Sequence, residues 1–150
     1  MSGDDTFQIV VGVDGSPQSL NALQWAVTEA RLRRGRVQAV TAWSYPTMTD
    51  AAGLFVDYES FEQAARQVQA EALETVADEG IQLSTRIVQG PPAAVLLEAA
   101  TGADLLVVGS RGHGGFTGLL LGSVSNQVVH HASCPVLIIR AVAEATAARP

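Results

Sequence analysis

From Gly109 to Ser125 the chain reads GSRGHGGFTGLLLGSVS, and six of the first fourteen residues of this stretch are glycine. Glycine lets backbone N–H groups turn towards a ligand with no Cβ in the way. The apolar run Asp104 to Gly109 (DLLVVG) comes before it, and a helical pattern from about Ser123 to Ala132 follows. Gly122-Ser123-Val124-Ser125 therefore falls where a helix begins. The unbonded amides and dipole of that helix start favour phosphate, and both serine hydroxyls are able to donate as well. Arg111 brings a guanidinium to the same stretch. A plainer reading is a loop whose Ser123 caps a helix. The strand before, the helix after and the small residues throughout favour phosphate.

A second short segment has the same setting. Val13-Asp14-Gly15-Ser16 follows the apolar run Phe7 to Val13 (FQIVVGV). In an open parallel sheet, ligands bind beyond the carboxyl ends of strands where the strand order reverses. Asp14 is placed for ligand contact there, although an Asp before Gly-Ser also makes local turns. Nothing pairs with it as a catalytic base. His113 lies in the glycine-rich stretch, within reach of a phosphate. His130 and His131 are adjacent on a last helical turn, so they point to different faces, and the negative helix end accounts for them better than a metal does. Cys134, the single cysteine, precedes Pro135 and reads as a small buried residue. Asp104 reads as a solvated strand start, and the Arg31, Arg33, Arg34, Arg36 cluster as a solvated helix end. No GxSxG elbow is present.

Composition narrows the chemistry. All nine basic residues are Arg, with no Lys, which excludes Schiff-base chemistry and a Walker A loop. The formal charge of −6 argues against a nucleic-acid surface. An anion must be held by local amides and one or two Arg. No apolar run is long enough for a membrane span, and the N-terminal residues lack a signal pattern, so the expected address is the cytoplasm. The 150 residues are expected to form one domain, with a core over about 7–140 and a loose tail over 141–150.

The elements that must position these groups alternate. Phe7 to Val13, Arg36 to Trp43, Ile81 to Val88, Asp104 to Gly109 and Pro135 to Arg140 read as strands, the third nearer a sheet edge. Ser16-Pro17 opens the first helix and Gly35 closes it. Phe61, Ala65, Val68, Ala72 and Val76 make a second helical stripe, and Pro91-Pro92 opens a short third helix through Ala100. Tyr45 to Asp57 reads as a long loop. Five strands with four intervening helices predict an α/β fold, a doubly wound five-stranded parallel sheet in the order 3-2-1-4-5.

The spacing Gly109-x2-Gly112-x9-Gly122-Ser123 resembles the nucleotide-binding signature of the universal stress proteins. VGVDGS (Val11 to Ser16) and CPVLIIR (Cys134 to Arg140) are similar to that family as well, over nearly the whole chain from Phe7 to about Arg140. No signature position departs from the pattern. The resemblance implies a flavodoxin-like α/β/α sandwich and binding of ATP. It implies that Asp14 and the Val13 backbone lie against the adenosine end, and that the Ala42 backbone meets the adenine edge. Val108 and Gly109 would flank sugar and base, Arg111 and Gly112 would approach ribose and phosphates, and Gly122, Ser123, Val124 and Ser125 would wrap the phosphate chain. Mg²⁺ would be held mainly by the phosphates.

The last strand adds an expectation about assembly. Val136, Leu137, Ile138 and Ile139 are apolar on both faces, yet this strand should lie at the sheet edge, which needs cover. Pairing with a second copy about a two-fold axis supplies it, as the resemblance also implies; folding of the Ala-rich tail over the edge is the other option. The expected function is that of a regulatory nucleotide-binding protein acting by occupancy. A slow ATPase, or an interaction module that binds AMP, cAMP or no nucleotide, are the rivals.

Overall fold

The structure is a computed structural model that describes residues 5–44, 58–76, 80–111 and 121–140. Along these residues run β1 (Gln8–Gly12), α1 (Pro17–Arg33), β2 (Arg36–Trp43), α2 (Tyr58–Leu73), β3 (Gln82–Gln89), α3 (Pro92–Ala99), β4 (Leu105–Gly109), α4 (Ser123–His131) and β5 (Val136–Ile139). The strands form one sheet in the order β3-β2-β1-β4-β5, and every neighbouring pair is parallel. The expected loop over Tyr45 to Asp57 and the expected tail over 141–150 lie outside the described residues.

β1 after Gln8 and all of β4 are apolar because both faces of these central strands are covered. Ile9 and Val11 pack towards α1 and α2 with Leu23, Val27 and Ala72. Val10 turns the other way, to Leu96 of α3 and Val128 of α4. Leu23 and Val27 are fully buried, and each stabilises the fold by about 1.5–3 kcal/mol relative to an exposed side chain. Helices α1 and α2 thus share one face of the sheet, and α3 and α4 the other. After β1 the chain steps to β2, and after β4 it steps the opposite way to β5. The carboxyl ends of β1 and β4 therefore flank the crevice at which the winding reverses.

Three details refine the expected boundaries. Helix α1 does open at Ser16, whose Oγ accepts from the Ser19 N–H at 3.2 Å. At its other end the left-handed residue is Arg34 (φ 56°), not Gly35. Gly35 passes against the Phe7 carbonyl, where a Cβ would overlap it. Helix α2 stops at Leu73, so Val76 of the expected stripe falls beyond it. Asp104 is exposed, as expected, but it is also a clasp: its carboxylate accepts from the Gln8 N–H at 2.8 Å, and its own N–H donates to the Gln8 carbonyl at 2.9 Å.

The two edges differ in character. β3 is polar along much of its length, with Ser84, Thr85 and Arg86 exposed. All four residues of β5 are half-buried, and among the described residues no strand pairs with its outer side.

Candidate functional site

The crevice is built from two strand exits. On the first, β2 overhangs β1, because Gly12 is in register with Val40 and the strand continues to Trp43. The overhang fixes the Val13 peptide from both sides: its N–H donates to the Val40 carbonyl at 2.9 Å, and its carbonyl accepts from Thr41 Oγ1 at 2.8 Å. Gln69 of α2, only 5% exposed, braces this contact with Nε2 at 3.1 Å from Thr41 Oγ1. Asp14 then leaves the sheet and is exposed. Its Oδ1 accepts from the Ser16 N–H at 2.9 Å across Gly15, and its own N–H donates to Ser19 Oγ at 3.2 Å. The turn reading of Asp14 is thus correct, and it still leaves the residue at the carboxyl end of β1.

On the second exit, Ser110 is the joint. Its N–H donates to the Ile139 carbonyl of β5 at 2.7 Å. Its carbonyl accepts from both the Gly122 N–H and Ser125 Oγ, each at 2.7 Å. Its hydroxyl donates to Gln18 Oε1 at 2.7 Å, and the Arg111 N–H donates to the same oxygen at 2.7 Å. The end of β4 is therefore fastened to the start of α4 and to the first turn of α1. Arg111 is half-buried, and a Cβ on Gly122 would lie 3.2 Å from Arg111 Cα. Gly109 lacks a side chain for a related reason: a Cβ there would be 2.8 Å from Gln18 Cβ. The approach of α1, and not that of a ligand, already demands glycine at this position.

The two helix starts at the crevice are unlike. α1 is capped by its own side chains: Ser16 N–H goes to Asp14, Pro17 has no N–H, and Ser19 N–H goes to Ser16 Oγ. α4 begins at Gly122, which has no side chain to cap with, and its first helical bond is Asn126 N–H to the Gly122 carbonyl at 3.0 Å. The amides of Ser123, Val124 and Ser125 precede that bond, and the first turn carries no acidic residue. An anion is suited to that end. The two serines divide their work. Ser123 is exposed, and its Oγ accepts from Gln127 Nε2 at 3.2 Å, so among the described residues its proton has no acceptor. Ser125 is buried, and its hydroxyl donates inward to Ser110 and Gly122.

The structure thus gathers Val13, Asp14, Val108, Gly109, Arg111, Gly122, Ser123, Val124 and Ser125 at the carboxyl ends of β1 and β4, with Ala42 on the adjoining overhang of β2. Val108 is almost wholly buried in the core under α3 and α4. Gly112 and His113 lie outside the described residues. Gln18, Ser110, Thr41 and Gln69 carry the support of the site and stand in no motif.

The remaining candidates are elsewhere. His130 and His131 are exposed, with ring centroids 6.5 Å apart, and among the described residues no group of three His, Cys, Asp or Glu could hold a metal ion. Cys134 is half-buried, and burial, then the Asp104 charge, pushes its thiol pKa up, which is the opposite of a reactive thiol. A groove of about 600 Å³ lined by Gln8, Arg36, Gln38, Gln82 and Ser84 lies at the amino ends of the strands, remote from both exits. Among the described residues no helix is long and apolar enough to cross a membrane.

The universal stress protein family matches residues 6–140. A universal stress protein of Mycobacterium tuberculosis is 41% identical over 136 residues, which cover 88% of this chain and 45% of the relative. The chain spans less than half the length of that relative. Among solved structures, the universal stress protein UspA from Lactobacillus plantarum is similar with a TM-score of 0.67 at 26% identity, over 92% of this chain and 100% of that one. A universal stress protein in complex with cAMP is similar with a TM-score of 0.70 at 29% identity, over 91% and 98% of the two chains. With a match that runs from β1 through β5, the chain belongs to the universal stress protein family.

Proposed function

We propose that the chain binds an adenine nucleotide, ATP above all, across the crevice between β1 and β4, and acts through occupancy and not turnover. The observation that carries this reading is the start of α4. Its amides follow a glycine that cannot cap them, they stand beside Arg111, and they belong to the Gly109-x2-Gly112-x9-Gly122-Ser123 signature. The cAMP complex of a relative supports an adenine nucleotide as the ligand class. In this reading Val13, Asp14 and Ala42 meet the adenosine end, Val108 and Gly109 flank it, and Arg111, Gly112 and Gly122 to Ser125 hold the phosphates. Among these residues Asp14 alone carries a carboxylate, so a Mg²⁺ ion would take most of its oxygen ligands from the phosphates. A turnover mechanism would need a base, and the Asp14 carboxylate is already engaged with the Ser16 N–H.

The proposed assembly is a homodimer paired through β5, and the proposed compartment is the cytoplasm. β5 supports the first point, since among the described residues no strand pairs with its outer side, which carries half-buried apolar side chains. Calorimetric titration of the folded protein with ATP and Mg²⁺, AMP and cAMP tests the ligand. Binding of ATP is expected, tighter than that of AMP or cAMP. Silence from all three at millimolar concentration would overturn the reading.

A further inference from the structure

Gln18 is the second residue of α1, and its side chain reaches across to the exit of β4. Its carboxamide oxygen accepts twice, from Ser110 Oγ and from the Arg111 N–H, both at 2.7 Å. That pair decides which end of the amide is which. Turned over, its NH₂ would face the Arg111 N–H, donor against donor. The orientation leaves Nε2 with two protons, and among the described residues neither has an acceptor. Nε2 shares a carbon with the clamped oxygen, so it lies beside Arg111, at the head of the glycine-rich stretch. A Cβ on Gly109 would lie 2.8 Å from Gln18 Cβ, so the glycine lets the first turn of α1 close on the exit of β4.

We propose that Gln18 Nε2 donates to phosphate oxygens of the bound nucleotide, and that it makes the crevice favour phosphorylated ligands over the nucleoside. The inference rests on the nucleotide reading and adds a residue to it. Phosphate oxygens accept without donating, so they match an amide end that only donates. The clamp holds that end in place before the ligand arrives, so binding does not have to order it. In a chain with no Lys, neutral donors beside Arg111 and the α4 amides must carry more of the recognition.

Gln18→Glu separates the donor from the clamp. The carboxylate keeps an oxygen for Ser110 and Arg111 but replaces the NH₂ by an acceptor. Gln18→Glu is expected to weaken ATP binding more than tenfold while adenosine binding stays within twofold of wild type. Asn21→Asp, which places the same charge one turn along α1, should change ATP binding less than threefold. In wild-type protein the side-chain N–H pair of Gln18, assigned by triple-resonance NMR, should shift on addition of ATP and not of adenosine. This measurement decides the matter alone if the glutamate variant does not fold. Equal ATP affinity in Gln18→Glu and wild type, an equal loss for ATP and adenosine, or an unmoved Gln18 signal at saturating ATP would overturn the assignment while the nucleotide reading stands. Wild-type protein that binds no adenine nucleotide would remove both.

Discussion

The Ser125 hydroxyl donates to the Ser110 carbonyl at 2.7 Å, so the first turn of α4 is fastened to the residue at which β4 ends. The same carbonyl takes the Gly122 N–H at 2.7 Å. The two ends of the intervening loop therefore meet at one oxygen, and the first-turn amides of α4 are held in a fixed place relative to Arg111. A phosphate site made of backbone needs this kind of support, because its donors cannot adjust by changing rotamer.

Replacing Ser125 by Ala removes one of those two donors and leaves the other. The expected cost is about 1 kcal/mol, seen as a fall in Tm of about 2–4 °C for a chain of this size. Differential scanning calorimetry measures it. A Tm equal to that of wild type would mean that Gly122 alone holds the joint.

Asp14→Asn tests the other side of the crevice. The amide oxygen of Asn can still accept from the Ser16 N–H, so the turn that Asp14 makes at 2.9 Å is kept. Circular dichroism and Tm should be close to those of wild type. Nucleotide affinity should fall about tenfold, the loss of a charge-assisted contact of roughly 1.4 kcal/mol. Unchanged affinity in a titration would leave Asp14 with its turn and nothing more.

How far the sequence carries is visible in these residues. β1 and β4 are legible because strands buried on both faces carry a continuous apolar run, and β3 because an edge strand can alternate with polar residues. The start of α4 is legible as well, since Gly122-Ser123 sits between a loop and a helical period. What spacing does not encode is a contact between distant segments. Gln18 and Ser110 are 92 positions apart, and no local pattern marks a glutamine at the second position of a helix as a clamp. Spacing also places Ser125 on the first turn without saying which way its hydroxyl donates. The same limit applies to glycine: Gly109 answers to α1, and Gly35 to Phe7, while the left-handed position passed to Arg34.

Thr41→Val asks whether the overhang of β2 sets the Val13 peptide. Valine fits the space of threonine but cannot donate to the Val13 carbonyl, now at 2.8 Å, or meet Gln69. Thr41 is 3% exposed, so little water replaces the lost bond. A destabilisation of about 1–3 kcal/mol is expected, read from the midpoint of urea unfolding at constant m. Stability within experimental error of wild type would show that the Val40 contact is enough.

Cys134 should be slow to react. Burial first, and the Asp104 charge second, raise its thiol pKa above the ordinary value. The thiolate is the nucleophile, so alkylation by iodoacetamide should rise with pH along a curve displaced to higher pH than that of a free thiol. Asp104→Asn removes the second cause while its amide oxygen can still accept from the Gln8 N–H. The curve should move back towards lower pH, but only in part, because burial remains. A variant curve that coincides with that of wild type would show that Asp104 is too well screened to act on the sulfur.

The outer side of β5 can be tested through its backbone. The carbonyls of Pro135 and Ile139 point to β4, where they accept from Leu106 and Ser110 at 3.0 and 2.7 Å. Strand alternation then turns the N–H groups of Val136 and Ile138 away from the sheet. Ile138→Pro removes one outward donor and leaves the bonds to β4 in place, as an edge strand tolerates. The smaller side chain costs some packing, on the order of 1–3 kcal/mol, so the measurement belongs well below Tm. Sedimentation equilibrium should show a wild-type dimer and a folded Ile138→Pro monomer. A variant that stays dimeric would place the contact between copies elsewhere on the molecule, and a wild-type monomer would mean that no second copy pairs with β5.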